Sequence, residues 1–383
     1  MGVNMATFQG SKLNINIPST IDITYPIFIG ADVLKLSGKL IKEYIPATKL
    51  LLVTNDTIFP IYGNTVVCSL RDASFDVKTA VIPDGEDYKN FGWFKVILDK
   101  AVDFNLERND AIIALGGGVI GDMVGYAAAS YLRGIDLVQL GTTLLAQVDS
   151  SIGGKVGINH PKGKNLIGAF YQPKCVVNDV NTLKTLDRRN LKNGLGEVLK
   201  YAFIEKTCNY RGKSINLFNY LNDNKENIYR LNSEVITEIV SYCCKLKAAV
   251  VEQDEKEAGL RAILNLGHTT GHALEVCGGY QLLSHGEAVS IGTIAAIRLA
   301  KNKGLMDAEF CDQAENLINY FELPSMIPQE IEIKSILRAM KLDKKVLKNK
   351  IRFILPVNTI GKVEIFDNID EDLITSVLET MYT

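Results

Sequence analysis

Residues 110–132 read DAIIALGGGVIGDMVGYAAASYL. A short unbroken apolar run ends in three glycines, and a helical pattern rich in small residues follows at once. Strands buried on both faces lose the alternation of apolar and polar residues and read as continuous apolar runs. Residues 110–118 are therefore expected to form a buried strand that feeds a helix over 119–132. Gly116, Gly118 and Gly121 satisfy G-x-G-x-x-G, a turn whose backbone N–H groups and helix dipole suit a pyrophosphate. Two features depart from the usual dinucleotide fingerprint. The turn follows the fourth or fifth strand of the chain, and the acid downstream of it, Asp136, opens a strand instead of ending one.

The same rhythm extends on both sides. Residues 49–55, 77–83, 135–143 and 174–180 read as strands, and 59–70 and 89–104 as amphipathic helices between them. Residues 12–29 alternate, as a strand pair does. Strands alternating with helices imply a parallel, doubly wound sheet, whose functional groups gather at the carboxyl ends of the strands. The loop Pro83 to Lys89 (PDGEDYK) stands at such an end. Beyond residue 186 the periodicity is helical over 188–206, 236–259, 262–276, 287–304 and 308–321, with a short β-like piece at 350–366 and a closing helix at 370–381. The expected plan is α/β: an N-terminal Rossmann-like parallel-sheet domain, 1–186, and a C-terminal mostly α-helical metal-binding domain, 187–383.

Composition narrows the function. A length of 383 residues, 47% hydrophobic and 22% charged, suits a soluble two-domain protein, and a net charge of −2 speaks against general nucleic-acid or membrane-surface binding. Any anion must then be held by a local basic cluster. Seven scattered cysteines without a CxxC read as reduced thiols, and the opening MGVNMATFQG lacks the regions of a signal peptide, so a cytoplasmic protein is expected.

Three of the four histidines, His268, His272 and His285, fall within Asn265–Glu287. Imidazole is the commonest protein ligand for transition metals. His268 and His272 are four apart and share a helix face, while His285 opens the next apolar run and folds back toward them. Glu197 supplies the carboxylate that an open two-imidazole zinc site wants. Its neighbour Lys200, three residues on, otherwise reads as the partner in a surface salt bridge. Residues 147–165 string Asp149, Lys155, Lys162, Lys164 and Asn165 along what reads as an irregular glycine-rich loop suited to an anion. Lys247 and Arg261 lie in a charged block just before the histidines, where a guanidinium suits a carboxylate.

Together GGGVIGD, the block from Asp149 to Pro173, TLKTL, GLGEVLKY, DEKEAGLRAILNLGHTTGHALE, HGEAV and DKKV resemble the 3-dehydroquinate synthase family across roughly residues 80–345. The resemblance implies conversion of 3-deoxy-D-arabino-heptulosonate 7-phosphate to 3-dehydroquinate and phosphate, the second step of the shikimate pathway. It proceeds by transient NAD oxidation, phosphate elimination, re-reduction, ring opening and aldol cyclisation. The resemblance implies metal ligands Glu197, His268 and His285, for zinc or cobalt, which moves His272 from ligand to a polar group near the substrate. It implies NAD contacts at Asn55, Asp84, Gly85, Glu86, Asp87, Tyr88, Lys89, Gly118, Val119, Ile120, Gly121, Asp122, Thr142, Thr143, Lys155, Lys164, Thr182, Leu183, Lys184 and Thr185. Substrate contacts are implied at Asp149, Lys155, Lys200, Lys247, Arg261, Asn265, His272 and Lys344 or Lys345. Arg133 would reach the substrate phosphate of a neighbouring subunit, which implies a homodimer. Gly141 and Gly157 depart from the family's usual residues without removing a chemical group. Three alternatives stand beside this one: a sister sugar-phosphate cyclase acting on an uncarboxylated substrate, a polyol dehydrogenase that releases NADH, and a non-catalytic metal- or nucleotide-binding protein.

Overall fold

The continuous apolar runs become strands of one sheet in a computed structural model that describes residues 11–17, 23–343, 351–367 and 369–382. In chain order the strands up to residue 180 are β1 (Ser11–Ile17), β2 (Ile23–Gly30), β3 (Lys49–Asn55), β4 (Asp76–Ile82), β5 (Ala111–Gly116), β6 (Asp136–Gly141), β7 (Lys155–His160), β8 (Gly163–Phe170) and β9 (Cys175–Asp179). Seven of them pair in the order β1-β2-β9-β6-β5-β3-β4. All neighbours are parallel except the edge pair β1 and β2, which runs antiparallel with Leu13 opposite Ile27.

Neighbouring side chains on one strand serve opposite cores. Leu50, Leu52 and Ile113 pack with Ile41, Val66 and Leu70 beneath α1 (Ser37–Lys42) and α2 (Asn64–Asp72). Leu51, Val53 and Ile112 pack with Ile97, Met123 and Val124 beneath α3 (Phe91–Asp103) and α4 (Gly118–Ser130). Both faces are buried, which is why these strands read as unbroken apolar runs. The chain steps outward from β3 to β4, then returns to the other side of β3 for β5 and β6. This reversal between β3 and β5 is the switch point at which open parallel sheets bind ligands, outside the strands' carboxyl ends.

The stretch read as an irregular loop is instead an antiparallel hairpin, β7 with β8. Its glycines bring the two strands together. A Cβ on Gly168 would stand 2.1 Å from the Val156 carbonyl oxygen, and one on Gly157 would stand 2.5 Å from that of Ile167. Those glycines also hid the strand alternation in which Val156 and Ile158 point inward.

The remaining helices are α5 (Arg188–Cys208), α6 (Leu217–Asp223), α7 (Lys225–Tyr229), α8 (Ser233–Gln253), α9 (His268–Cys277), α10 (His285–Asn302), α11 (Ala308–Tyr320), α12 (Ile333–Asp343) and α13 (Glu371–Glu379), with a hairpin of β10 (Arg352–Pro356) and β11 (Val363–Asp367). The chain packs as two units: one runs to Leu186 and takes in Glu226–Glu252, and the other holds Asp187–Lys225 and the chain from Gln253 on. Helix α8 thus packs with the sheet although it follows α5 in sequence. Cys244 Sγ meets the Gln147 carbonyl at 3.4 Å, and Ser233 Oγ meets Asn181 Oδ1 at 2.9 Å. Periodicity alone carried this helix on to residue 259, but it ends at Gln253, where Asp254 begins a turn. Among the described residues no helix is long and apolar enough to cross a membrane.

Glu205 on α5 is 4% exposed, and its Oε2 accepts the backbone N–H groups of Leu217 and Phe218 at the start of α6. Burial raises its pKa to about 7 against the opposing pull of those two donors. Above the unfolded value near 4.5 the folded state keeps a proton that the unfolded chain gives up. Stability from this group therefore falls as pH rises toward 7, by a total on the order of 3 kcal/mol. Both donors use one oxygen, which an amide also offers. Glu205→Gln is expected to raise the melting temperature at pH 8 and to match the parent near pH 5. Parallel melting curves across that range would count against it.

Candidate active site

Within the helical unit, two close backbone contacts and one left-handed glycine bring the metal candidates together. Helices α5 and α10 touch through glycine. A Cβ on Gly196 would lie 2.5 Å from the Gly286 carbonyl oxygen, and one on Gly286 would lie 2.0 Å from that of Asn193. Glu197 and His285 are the residues beside those glycines, so the crossing sets them face to face. His285 is the first residue of α10, whose start is fixed by a capping box between Ser284 and Glu287. Gly267, in the left-handed region at φ 78°, turns the chain into α9, and His268 opens that helix.

His285 Nε2 stands 3.4 Å from Glu197 Oε1, and His268 Nε2 stands 3.8 Å from the same oxygen. Direct charge-assisted hydrogen bonds are shorter, at about 2.7–2.9 Å. Ligand atoms on the edge of a zinc tetrahedron are separated by about 3.4 Å, as bond lengths near 2.0–2.1 Å require. One donor atom from each of the three residues lies within 4.8 Å of the others. His268 Nδ1 meets the Leu266 carbonyl at 3.0 Å, so this nitrogen carries the proton and Nε2 keeps a lone pair toward Glu197. Burial, reinforced by the Lys200 ammonium, holds the His268 pKa well below its ordinary value, which keeps the ring neutral and able to ligate. Burial also acts to lower His285, but the facing carboxylates of Glu197 and Glu275 outweigh it and push its pKa up to about 10. The site favours positive charge at that nitrogen. This donor set, geometry and field fit a divalent cation.

Lys200 contacts the Glu197 carboxylate, and both side chains are almost wholly buried, at 2% and 1% exposure. The surface salt bridge expected from the spacing is an interior one, because sequence separation fixes a helix face but says nothing of what covers it. His272 is exposed, with its ring centroid 5.1 Å from that of His268 and 6.1 Å from that of His285. A second donor group, His272, Glu275 and His285, overlaps the first. Glu275, three residues after His272 on the same helix face, was absent from the sequence reading. The helix arithmetic that paired the histidines would have found it.

Arg261 is 1% exposed and sits in a turn built by Asp254. The Asp254 carboxylate accepts the backbone N–H groups of Ala258, Gly259 and Arg261 at 2.7–2.9 Å. Asn265 Nδ2 donates to Glu257 Oε1 at 2.8 Å. Asp254 and Glu257 were likewise not singled out from sequence. Lys344 and Lys345 lie outside the described residues.

Within the sheet unit, the candidate nucleotide residues cluster at strand ends. Asn55 closes β3 and donates to Asp84 Oδ1 at 2.7 Å, which ties β3 to the loop of Asp84–Lys89 after β4. Gly118, Val119, Ile120, Gly121 and Asp122 open α4 after β5, and no side chain caps that helix start. Thr142 and Thr143 follow β6, and the buried Thr142 hydroxyl has no hydrogen-bond partner among the described residues. Thr182, Leu183, Lys184 and Thr185 lie in the turn after β9, with Leu183 buried and Lys184 exposed. An uncapped helix start and an unsatisfied hydroxyl at the switch point suit a pyrophosphate-bearing ligand.

Lys89 is 4% exposed and bonds Asp122 Oδ2 and Asn165 Oδ1, each at 2.6 Å. Asn159, unmarked in the sequence, holds the hairpin to this loop through Glu86 Oε1 at 2.6 Å and the Lys89 carbonyl at 2.8 Å. Lys155 is exposed and Lys164 half-buried on the hairpin. Asp149 takes Lys247 Nζ on both its carbonyl and Oδ1 at 2.8 Å. Arg133 is exposed beside Leu132, and both adopt left-handed backbone at φ 67° and 51°.

Solved structures share this fold. A solved 2-epi-5-epi-valiolone synthase from Streptomyces hygroscopicus, with NAD+ and Zn2+ bound, superposes with a TM-score of 0.85 at 23% identity, covering 95% of this chain and 98% of that one. A 2-deoxy-scyllo-inosose synthase complexed with carbaglucose-6-phosphate, NAD+ and Co2+ gives 0.82 at 24%, covering 97% and 100%. At such identity these two carry the fold alone. Sequence goes further: the 3-dehydroquinate synthase N-terminal and C-terminal family models match residues 79–193 and 194–346. A 3-dehydroquinate synthase of Crocosphaera subtropica is 45% identical over 373 residues, 97% of this chain and 99% of its own. The chain belongs to the 3-dehydroquinate synthase family.

Proposed function

We propose that the protein converts 3-deoxy-D-arabino-heptulosonate 7-phosphate to 3-dehydroquinate and inorganic phosphate, as a carbon–oxygen lyase. The match to 3-dehydroquinate synthases along nearly the whole chain carries this reading. Bound NAD would supply a hydride acceptor that gives back what it takes, and a zinc or cobalt ion would supply Lewis-acid stabilisation of charge on substrate oxygen. Glu197, His268 and His285 would hold the cation. Asn55, the Asp84–Lys89 loop, the start of α4, Thr142, Thr143, Lys155, Lys164 and the turn Thr182–Thr185 would hold the dinucleotide.

Assigned to the substrate are Asp149, Lys155, Lys200, Lys247, Arg261, Asn265, His272 and a lysine of the pair at 344 and 345. Arg261 offers a planar fork for the substrate carboxylate. Its loop is built beforehand by Asp254, so binding orders little more of it. Lys247 Nζ is held at 2.8 Å on Asp149, which sets its direction before any ligand arrives. Removal of the proton from the carbon next to the phosphate-bearing one falls to the substrate's own phosphate, oriented by Asn265 and the lysines, and the carbon–oxygen bond to phosphate breaks as that proton leaves. A functional division at 186/187, nucleotide before and metal after, belongs to the same reading.

A homodimer and a cytoplasmic location complete the reading. The exposed Leu132 and Arg133 hold a backbone form that costs bulky residues energy, and such strain collects at functional sites. That supports an Arg133 directed at a neighbouring subunit's substrate. None of the seven cysteines is in a disulfide among the described residues, which suits a reducing compartment. Incubating the enzyme with NAD+ and the heptulosonate phosphate tests the proposal. Phosphate release without net NADH is expected. Accumulating NADH would favour a dehydrogenase, and absence of phosphate would refute the activity.

A further inference from the structure

The two metal-facing imidazoles are oriented in the same manner by different means. Each turns Nε2 toward Glu197 Oε1, and each has its Nδ1 engaged on the opposite side. For His268 the partner is a backbone carbonyl, Leu266, at 3.0 Å. For His285 it is a side chain, Glu275 Oε2, at 3.3 Å. Glu275 is an acid only 6% exposed, on α9 between the buried Leu274 and the exposed Val276, two helical turns beyond His268. Burying a carboxylate is costly unless donors meet it, so its location against His285 calls for a function.

We propose that Glu275 is a positioning residue for the metal centre: its carboxylate accepts the Nδ1 proton of His285, which fixes the ring's tautomer and rotation so that the Nε2 lone pair faces the cation shared with Glu197 and His268. This rests on the reading of those three residues as ligands. A neutral imidazole carries one N–H and one lone pair. Left to solvent, His285 would divide its proton between the two nitrogens and turn about its side-chain bonds. His285 is 31% exposed at its side chain, against 11% for His268, so packing restrains it less and a dedicated acceptor matters more. Carboxylates that orient ligand histidines in this way typically change metal affinity by about 10–100-fold when removed.

The same atoms permit a competing assignment, since His272, Glu275 and His285 also form a donor group. A second cation there would need His285 to give up both ring protons and bridge two ions. A proton shared with Glu275 satisfies the 3.3 Å contact without that demand, and the positioning reading is preferred on this ground.

The test is zinc affinity and stoichiometry, measured by competition with a chromophoric chelator on the full-length protein, with the visible spectrum of the Co2+-loaded form as a second readout. Glu275→Ala is expected to bind one zinc about 10–100-fold more weakly than the parent and to shift the cobalt bands. Glu275→Gln keeps an oxygen that accepts the Nδ1 proton, and it is expected to recover most of the lost affinity and the parent spectrum. It also serves as the folding control should the alanine variant prove unstable. Parent-like affinity in both variants overturns the proposal. So does uptake of two zinc ions by the parent and one by Glu275→Ala, which would make the cluster a second cation site. Unchanged zinc affinity in His285→Ala would instead defeat the ligand assignment on which the proposal stands.

Discussion

Glu197→Gln is expected to lower bound metal from one equivalent to a small fraction and to reduce turnover by on the order of a hundredfold or more. The amide keeps the volume of the side chain but not its charge, and neutral oxygen is a poor ligand beside two imidazoles. Glu197 also balances the buried Lys200 ammonium. Breaking a buried pair of this kind costs about 3–5 kcal/mol, so part of the loss would appear as a lower melting temperature. His268→Ala separates the two effects, since it removes a ligand and leaves the Glu197–Lys200 contact intact. Metal content after gel filtration, read alongside phosphate release, checks both variants. Full turnover in a variant shown to be metal-free would remove the cation from the reaction.

Arg261→Ala is expected to raise KM for the carboxylated substrate by about 10–100-fold and to abolish the preference for carboxylated over uncarboxylated inhibitors. A hydrogen bond to a charged group contributes roughly 1.5–3 kcal/mol, and the guanidinium's second N–H adds direction to the contact with a carboxylate. Arg261→Lys keeps the charge without the fork and should recover only part of the preference. Arg261 is 1% exposed, and its backbone N–H is fixed by Asp254, so the alanine variant tests recognition only if its melting temperature holds. Unchanged discrimination between the two inhibitor classes would take Arg261 out of carboxylate binding.

The sheet was readable because parallel strands buried on both faces write continuous apolar runs, as KLLLVTN and AIIALG do here. The hairpin of β7 and β8 was not, since glycines required for close strand approach mimic a loop. Helix spacing put His268 and His272 on one face, yet it could not show which of them faces Glu197. That depends on the glycine crossing of α5 and α10, a contact between residues ninety apart in sequence: Gly196 and Gly286. Glu275 and Asp254 escaped notice because each acts on another residue and not on a ligand. The place of α8 with the sheet was also hidden. Its apolar face is legible, but the surface that receives it, at Gln147 and Asp149, is fixed only by tertiary packing.

An anomalous difference map from zinc-loaded crystals is the most direct check on the metal centre. One peak is expected, about 2.0–2.2 Å from an oxygen of Glu197 and from Nε2 of both His268 and His285. A peak bound by His272 and Glu275 in place of Glu197, or no peak among these residues in active crystals, would contradict it.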